Sequence, residues 1–321
     1  MMLARLKRTL VAPIAFPQYA AVALSDPQDQ VSVTLHGLGA ARDVTRNHVI
    51  AALRPLTIAI ALADTDRGAE GPARASLEFR ACDGDAPSLG VVGLWRRAVV
   101  PFGGHQFHLY EATGSRNGCL GRARMWLYER FESWKAARYQ RANPFNFWIP
   151  PRDLRALFVL YICPRPVVLV TAGYEGQERT FPMDLIGPTA SGWFSLALRT
   201  TAASADLITR SRRVALASVS AGYKAVAYEL GKYHKLSEAP RLPFATVRSA
   251  TFGLPVPADA LAVREIAIER AEQVGSHTWF LGSIVHETRR GDRSIAPASL
   301  AHVQGTYREY RRRRGLPLED A

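Results

Sequence analysis

The sequence predicts an α+β fold in which strands outnumber helices, and three observations carry that expectation. Residues 167–170 form an unbroken run of valine and leucine, the composition of a strand buried on both faces. Segments rich in strand formers recur at 56–62, 76–82, 89–100 and 105–112, parted by Gly, Pro and Asp clusters. Residues 265–272 and 277–285 read as two more strands folded back on each other near Gly275-Ser276.

Taken in order, residues 1–30 read as irregular. Arg5, Lys7 and Arg8 precede an apolar run that Pro13 and Pro17 interrupt and that is too brief to span a bilayer. It reads as an ordinary basic N-terminus rather than a signal peptide. Thr45 is placed to cap a helix over 46–54, which Pro55 stops. The clearest helix of the first half is 122–141, where Leu127, Phe131 and Trp134 share one face. Arg130, Lys135, Arg138 and Arg141 lie among the residues of the other. A helix packed on a sheet with a solvated basic face fits this pattern, with a membrane-surface helix as the alternative.

Residues 143–151, with Phe145, Phe147 and Trp148, are too apolar for a flexible linker and read as a packed junction. Residues 154–161 continue as helix or strand. Further strands are expected at 167–171, 181–187, 193–201 and 214–219. A helix over 222–233 puts Tyr223, Val226, Ala227 and Leu230 on one side. The tail, 297–313, reads as a docked helix with Leu300, Val303, Tyr307 and Tyr310 on one face. No internal repeat is legible. The expected division is an irregular 1–30, an accessory α+β domain over 31–150 and a second domain over 151–321.

The 321 residues are 48% hydrophobic and 21% charged, the balance of a folded globular chain. Lysine and arginine number 41 against 28 acids, a net charge of +13 spread along the chain rather than gathered in one arm. Such a surface attracts anionic ligands, nucleotide phosphates among them. No nucleic-acid reader motif accompanies it, so nucleic acid is not expected as a partner. Cys82, Cys119 and Cys163 are far apart, which suits a reducing cytoplasm and argues against a disulfide framework. The histidines show no metal-like spacing. Dinucleotide, Walker and nucleophile-elbow signatures are missing.

Chemistry concentrates at Arg199-Thr200-Thr201, at the mouth of a short helix. A cation and two hydroxyls at a helix N-terminus favour an anion such as phosphate, and Ser204 offers a third hydroxyl. The alternative makes either threonine a plain cap and Arg199 a surface charge. His277 stands in a strand as a ring that titrates near neutrality, or as a structural histidine. His234, after Lys232 and Tyr233, either covers the same pocket or ends a helix.

The entering strand at 164–171, the strand-then-helix element of 193–201 with Ser204, Asp206, Leu207 and Ile208, and the late strand at 275–282 together resemble the flavin reductase-like FMN-binding split barrel family. The likeness covers residues from about 155 to 290. It implies an antiparallel split β-barrel of Greek-key type with flanking helices, usually paired as a homodimer with the flavin where two subunits meet. It implies FMN, or FAD, as cofactor and NAD(P)H as reductant, with hydride transfer from nicotinamide to flavin and an electron-accepting partner. Thr180, Phe181, Pro182, Met183, Asp184, Arg199, Thr200, Thr201 and Ser204 would then hold the FMN phosphate and ribityl chain, and His277 would face the nicotinamide. Asp184 would accept from the ribityl hydroxyls or the ring N–H, or else cap a local turn. Pro182 and Met183 depart from the family's commonest pattern, in which small Ser and Thr residues precede a Phe. The rival readings are a non-catalytic flavin-binding or partner-binding protein and a haem-binding split barrel.

Overall fold

The computed structural model describes residues 17–63, 73–82, 87–142, 148–190, 192–232, 241–290 and 298–321. The basic stretch before residue 17, most of the aromatic junction and His234 lie outside them. The first half contains β1 (Tyr19–Leu24), β2 (Val31–His36), β3 (Arg42–Asp43), β4 (His48–Leu53), β5 (Leu56–Ala63), β6 (Arg74–Ala81), β7 (Ser88–Phe102) and β8 (His105–Asn117). Helices α1 (Arg122–Ala142) and α2 (Pro151–Leu160) follow. The second half continues with β9 (Arg165–Pro166), β10 (Val168–Tyr174), β11 (Gln177–Met183), β12 (Ile186–Ala190), β13 (Trp193–Arg199) and α3 (Ala203–Ser211). Then come β14 (Arg213–Ser218), α4 (Lys224–Lys232), β15 (Thr246–Arg248), β16 (Pro255–Pro257), β17 (Ala262–Val274), β18 (His277–Arg289), β19 (Ser299–Gln304) and α5 (Gly305–Arg313).

The fold is α+β, as expected. Two seven-stranded antiparallel sheets dominate, ordered β3-β2-β6-β7-β8-β5-β4 and β11-β10-β14-β17-β18-β13-β12. The second, with its flanking helices, is the split-barrel arrangement expected of the second half. A small sheet, β1-β19-β9, ties the two ends of the chain together, with Tyr19 opposite Gln304 and Leu24 opposite Ser299. A strand therefore lies within the segment read as irregular. In the tail, β19 precedes α5 where one continuous helix was expected.

Strand alternation sends different side chains to the two faces of β5. Ile58, Ile60 and Leu62 join the core of the first sheet with Leu157 and Leu160 of α2. Ala59 and Ala61 point the other way, together with Val49, Ala51, Phe107 and Leu109, and meet Ala197, Trp279 and Leu281 of the second sheet. The alanines let the sheets approach. Between them the Phe107 and Trp279 rings lie 5.7 Å apart, and the Trp279 indole N–H donates to Ser195 Oγ at 2.5 Å. The inner face of the second sheet packs Val170, Phe181 and Leu196 against Leu207 and Ile208 of α3.

Two expectations are corrected. Residues 46–54 do not form a helix, because His48–Leu53 is a strand. Thr45 Oγ1 accepts from Val33 N at 2.8 Å across strands instead of capping a helix. Burial on both faces overrides the helical preference of the alanines there. On α1, Leu127 and Trp134 are 44% and 57% exposed, and Met125 and Tyr128 face Leu154 and Phe158 instead. Glu132 is buried beside them because Gln18 Nε2 donates to its carboxylate at 2.5 Å and Lys135 Nζ at 2.6 Å.

Trp279→Ala should cost about 3–5 kcal/mol, the range for removing a large buried aromatic. Urea unfolding followed by circular dichroism measures it.

Candidate functional site

A cleft of about 280 Å3 opens where β11, the end of β13, the start of β18, the beginning of α3 and the end of α4 converge. Antiparallel pairing of β13 with β18 sets Arg199 directly opposite His277. Arg199, His277, Ser204, Thr180, Phe181, Pro182, Met183 and Asp184 all line the cleft. Thr200 and Thr201 are exposed and do not line it. Thr200 N donates to Ser276 O at 3.2 Å, which ties the end of β13 to the β17–β18 turn.

The beginning of α3 reaches the cleft through Ala202 and Ser204. Ala202 is the N-cap and no side chain caps the helix, so neither threonine has the capping role open to it in the sequence. The first-turn amides and the dipole give this end positive character. Arg199 adds a full cation, and desolvation lowers its pKa. The two together give one end of the cleft the positive character that favours an anion.

His277 is 2% exposed. Burial, and then the charge of Arg199, lower its pKa from 6.5 to about 4. The ring is therefore neutral at physiological pH, where the sequence suggested titration near neutrality. Leu53 N donates to its Nδ1 at 3.5 Å. Ser276 Oγ also lies 2.9 Å from Nδ1. Thr180 is held by Thr171, with 2.8 Å between the hydroxyl oxygens, and Thr171 donates onward to Pro255 O.

Asp184 lines the cleft with its carboxylate engaged. Burial alone would raise its pKa, but hydrogen bonds from His302 Nδ1 at 2.8 Å and the Tyr161 hydroxyl at 3.0 Å, with the charge of Arg165, hold it below the usual carboxylate value. The anion is thus balanced by groups of β9, β19 and the end of α2.

Sequence reasoning missed Leu53, Arg179, Leu230 and Gly231, which also line the cleft. Leu53 lay in a segment misread as a helix, so nothing pointed it at a site in the other half. Leu230 stood on the predicted apolar side of α4, read as core alone. A broader surface depression includes Asp29, Asp43 and Arg46, but Arg46 there already pairs with Asp26 and Asp29 at 2.8 and 2.9 Å. Among the described residues no three His, Cys, Asp or Glu groups form a metal-holding cluster, and no helix is long and apolar enough to cross a membrane.

A folded-state pKa of about 4 for His277 means the unfolded chain takes up its proton first. Stability tied to the neutral ring is complete above pH 6.5 and falls as pH drops towards 4. His277→Gln should flatten that decline by up to about 3 kcal/mol in urea unfolding across the window. An equally steep decline in the variant would show that His277 does not carry it.

Residues 160–311 match the family model described as flavin reductase like domain. No curated protein matches the chain. Similar solved structures include the NADH:FAD oxidoreductase SgcE6 of Streptomyces globisporus C-1027, 22% identical, with 50% of this chain and 94% of that one covered at a TM-score of 0.43. The FMN-binding protein of Thermus thermophilus is 17% identical, with coverage of 43% and 81% and a TM-score of 0.39. The styrene monooxygenase flavin reductase of Pseudomonas putida S12 is 17% identical, with coverage of 47% and 92% and a TM-score of 0.39. The family likeness thus lies over residues 160–311, the span of the second large sheet and its flanking segments.

Proposed function

We infer that the cleft binds FMN, with FAD as the larger alternative, and that the chain is an NAD(P)H-dependent flavin reductase that passes electrons to a separate acceptor. The observation that carries this reading is Arg199 beside the side-chain-free start of α3, set across two paired strands from a buried neutral histidine. A phosphate suits the first corner, and a planar heteroaromatic ring suits the apolar remainder lined by Leu53, Met183, Leu198 and Leu230. A flavin held there supplies the hydride acceptor for a reduced nicotinamide.

The protein's part is binding, orientation and exclusion of water. Arg199 pairs with the phosphate through a fork of N–H donors, and the Ser204 hydroxyl and first-turn amides of α3 add to it. Thr180, Phe181 and Pro182 form the wall along the ribityl chain. His277 serves as a neutral hydrogen-bonding group near the reacting edge, so no charged imidazolium opposes the approach of a nicotinamide. Asp184 is a buttress, its charge spent on His302 and Tyr161, and it does not repel the phosphate.

Purified protein should take up FMN, show flavin absorption bands, and bleach on addition of NADH or NADPH. Arg199→Ala should weaken FMN binding about tenfold or more, the loss of one charge-assisted contact. Unchanged affinity in the folded variant removes Arg199 from the site. Retained flavin that neither nucleotide bleaches makes the chain a binding protein, and a Soret band on titration with haem overturns the flavin assignment.

A further inference from the structure

We propose that residues 31–117 are a second copy of the sheet unit formed by residues 168–289, that this copy has lost its own ligand site, and that it completes the cleft of the other, so that one chain binds one flavin without a second subunit. Only the identity of the ligand rests on the function inferred above.

The first observation is topological. Numbered from first to seventh strand within each half, both large sheets are ordered 2-1-5-6-7-4-3. Registers agree as well. The last hairpin of the first sheet closes with Phe102 opposite His105 around Gly103-Gly104, and that of the second with Val274 opposite His277 around Gly275-Ser276. The first turn residue is a glycine with positive φ in each, 58° and 52°. Two residues beyond His105 and His277 stand Phe107 and Trp279, paired in register with Ala61 and Ala197.

The second observation is reciprocity. A Cβ on Gly103 would sit 2.3 Å from the Trp193 ring, at the turn between the third and fourth strands of the second sheet. A Cβ on Gly275 would sit 2.5 Å from Arg54 O, at the turn between the third and fourth strands of the first. Each copy thus lays the same turn on the same part of the other. Phe107 meets its own counterpart Trp279 at the centre. A two-fold interface has this property, with residue i of one unit on j of the other and the reverse. Here both units belong to one chain.

The third observation is asymmetry of the site. The position opposite His105 is Ala63, where the position opposite His277 is Arg199, so an alanine stands in the first copy where the second has a cation. β3 has two residues where β11 has seven. The link between β6 and β7 is only residues 82–87, while the link between β14 and β17 carries α4, the source of Leu230 and Gly231. The first copy instead supplies the other's cleft. Leu53 lines it and donates its N–H to His277, and Arg54 O accepts from Ser276 N at 2.9 Å. The face that a second chain would need is already buried inside this one.

Sedimentation equilibrium at micromolar concentration should give the mass of one chain, 35.3 kDa, and absorbance should give one FMN per chain. Leu53→Arg should weaken FMN binding tenfold or more without changing mass or circular dichroism. Gly103→Val and Gly275→Val should each lower the unfolding midpoint with or without flavin. Two flavins per chain, or a dimer that sheds its flavin on dilution, overturns the proposal, as does unchanged affinity in Leu53→Arg. A monomer that binds no flavin, with both glycine variants destabilised, sinks the flavin reading and leaves the duplicated fold standing.

Discussion

The contact between the two large sheets is the constraint on which the rest of the molecule depends. Ala59, Ala61 and Ala197 keep that face low, so that Phe107 and Trp279 meet in a dry layer with Val49, Leu109 and Leu281. Interiors at native density transmit small displacements, because there is little void to absorb them. The layer therefore fixes more than stability. It sets where the β4–β5 turn rests against the β17–β18 turn, and so where Leu53 lies relative to His277.

Around the cleft, the acidic and imidazole groups are each compensated or neutral. Asp184 is matched by His302, Tyr161 and Arg165, and His277 is kept neutral by burial and by Arg199. The partial positive charge at the start of α3 lies beside the Arg199 side chain. An incoming dianion therefore meets a cation and a helix end, and no uncompensated carboxylate. The general positive balance of the chain, +13, favours encounter with anions.

Much of the strand pattern was legible because alternation and turn residues are local signals. The hairpin about Gly275-Ser276 and the strands expected at 89–100 and 105–112 announced themselves in this way. Arg199, Ser204 and His277 were legible as a group only through the resemblance, since they come from separate elements. β4 was not legible. Its alanines and flanking Thr45 and Pro55 imitate a capped helix, and only contact with a second sheet makes a strand the better solution. The apolar face of α1 was misjudged because Glu132 turns inward, which a sequence pattern cannot anticipate without the partners Gln18 and Lys135. The likeness of the two halves is not legible in the sequence for a related reason. What they share is strand order and scattered matches such as Gly103 with Gly275 and His105 with His277, too sparse to register as a repeat.

The two interlocking turns are chemically unlike. Gly103 sits under an indole ring, whereas Gly275 sits under a backbone carbonyl and a proline. In an assembly of identical subunits every amino-acid change appears twice, and a change that suits one side of the axis must be tolerated on the other. Joined in a single polypeptide, the halves escape that coupling. Under the proposed duplication, one side is free to trade a binding corner for a shorter loop while the opposite side keeps its own, and the loss need not be shared by both.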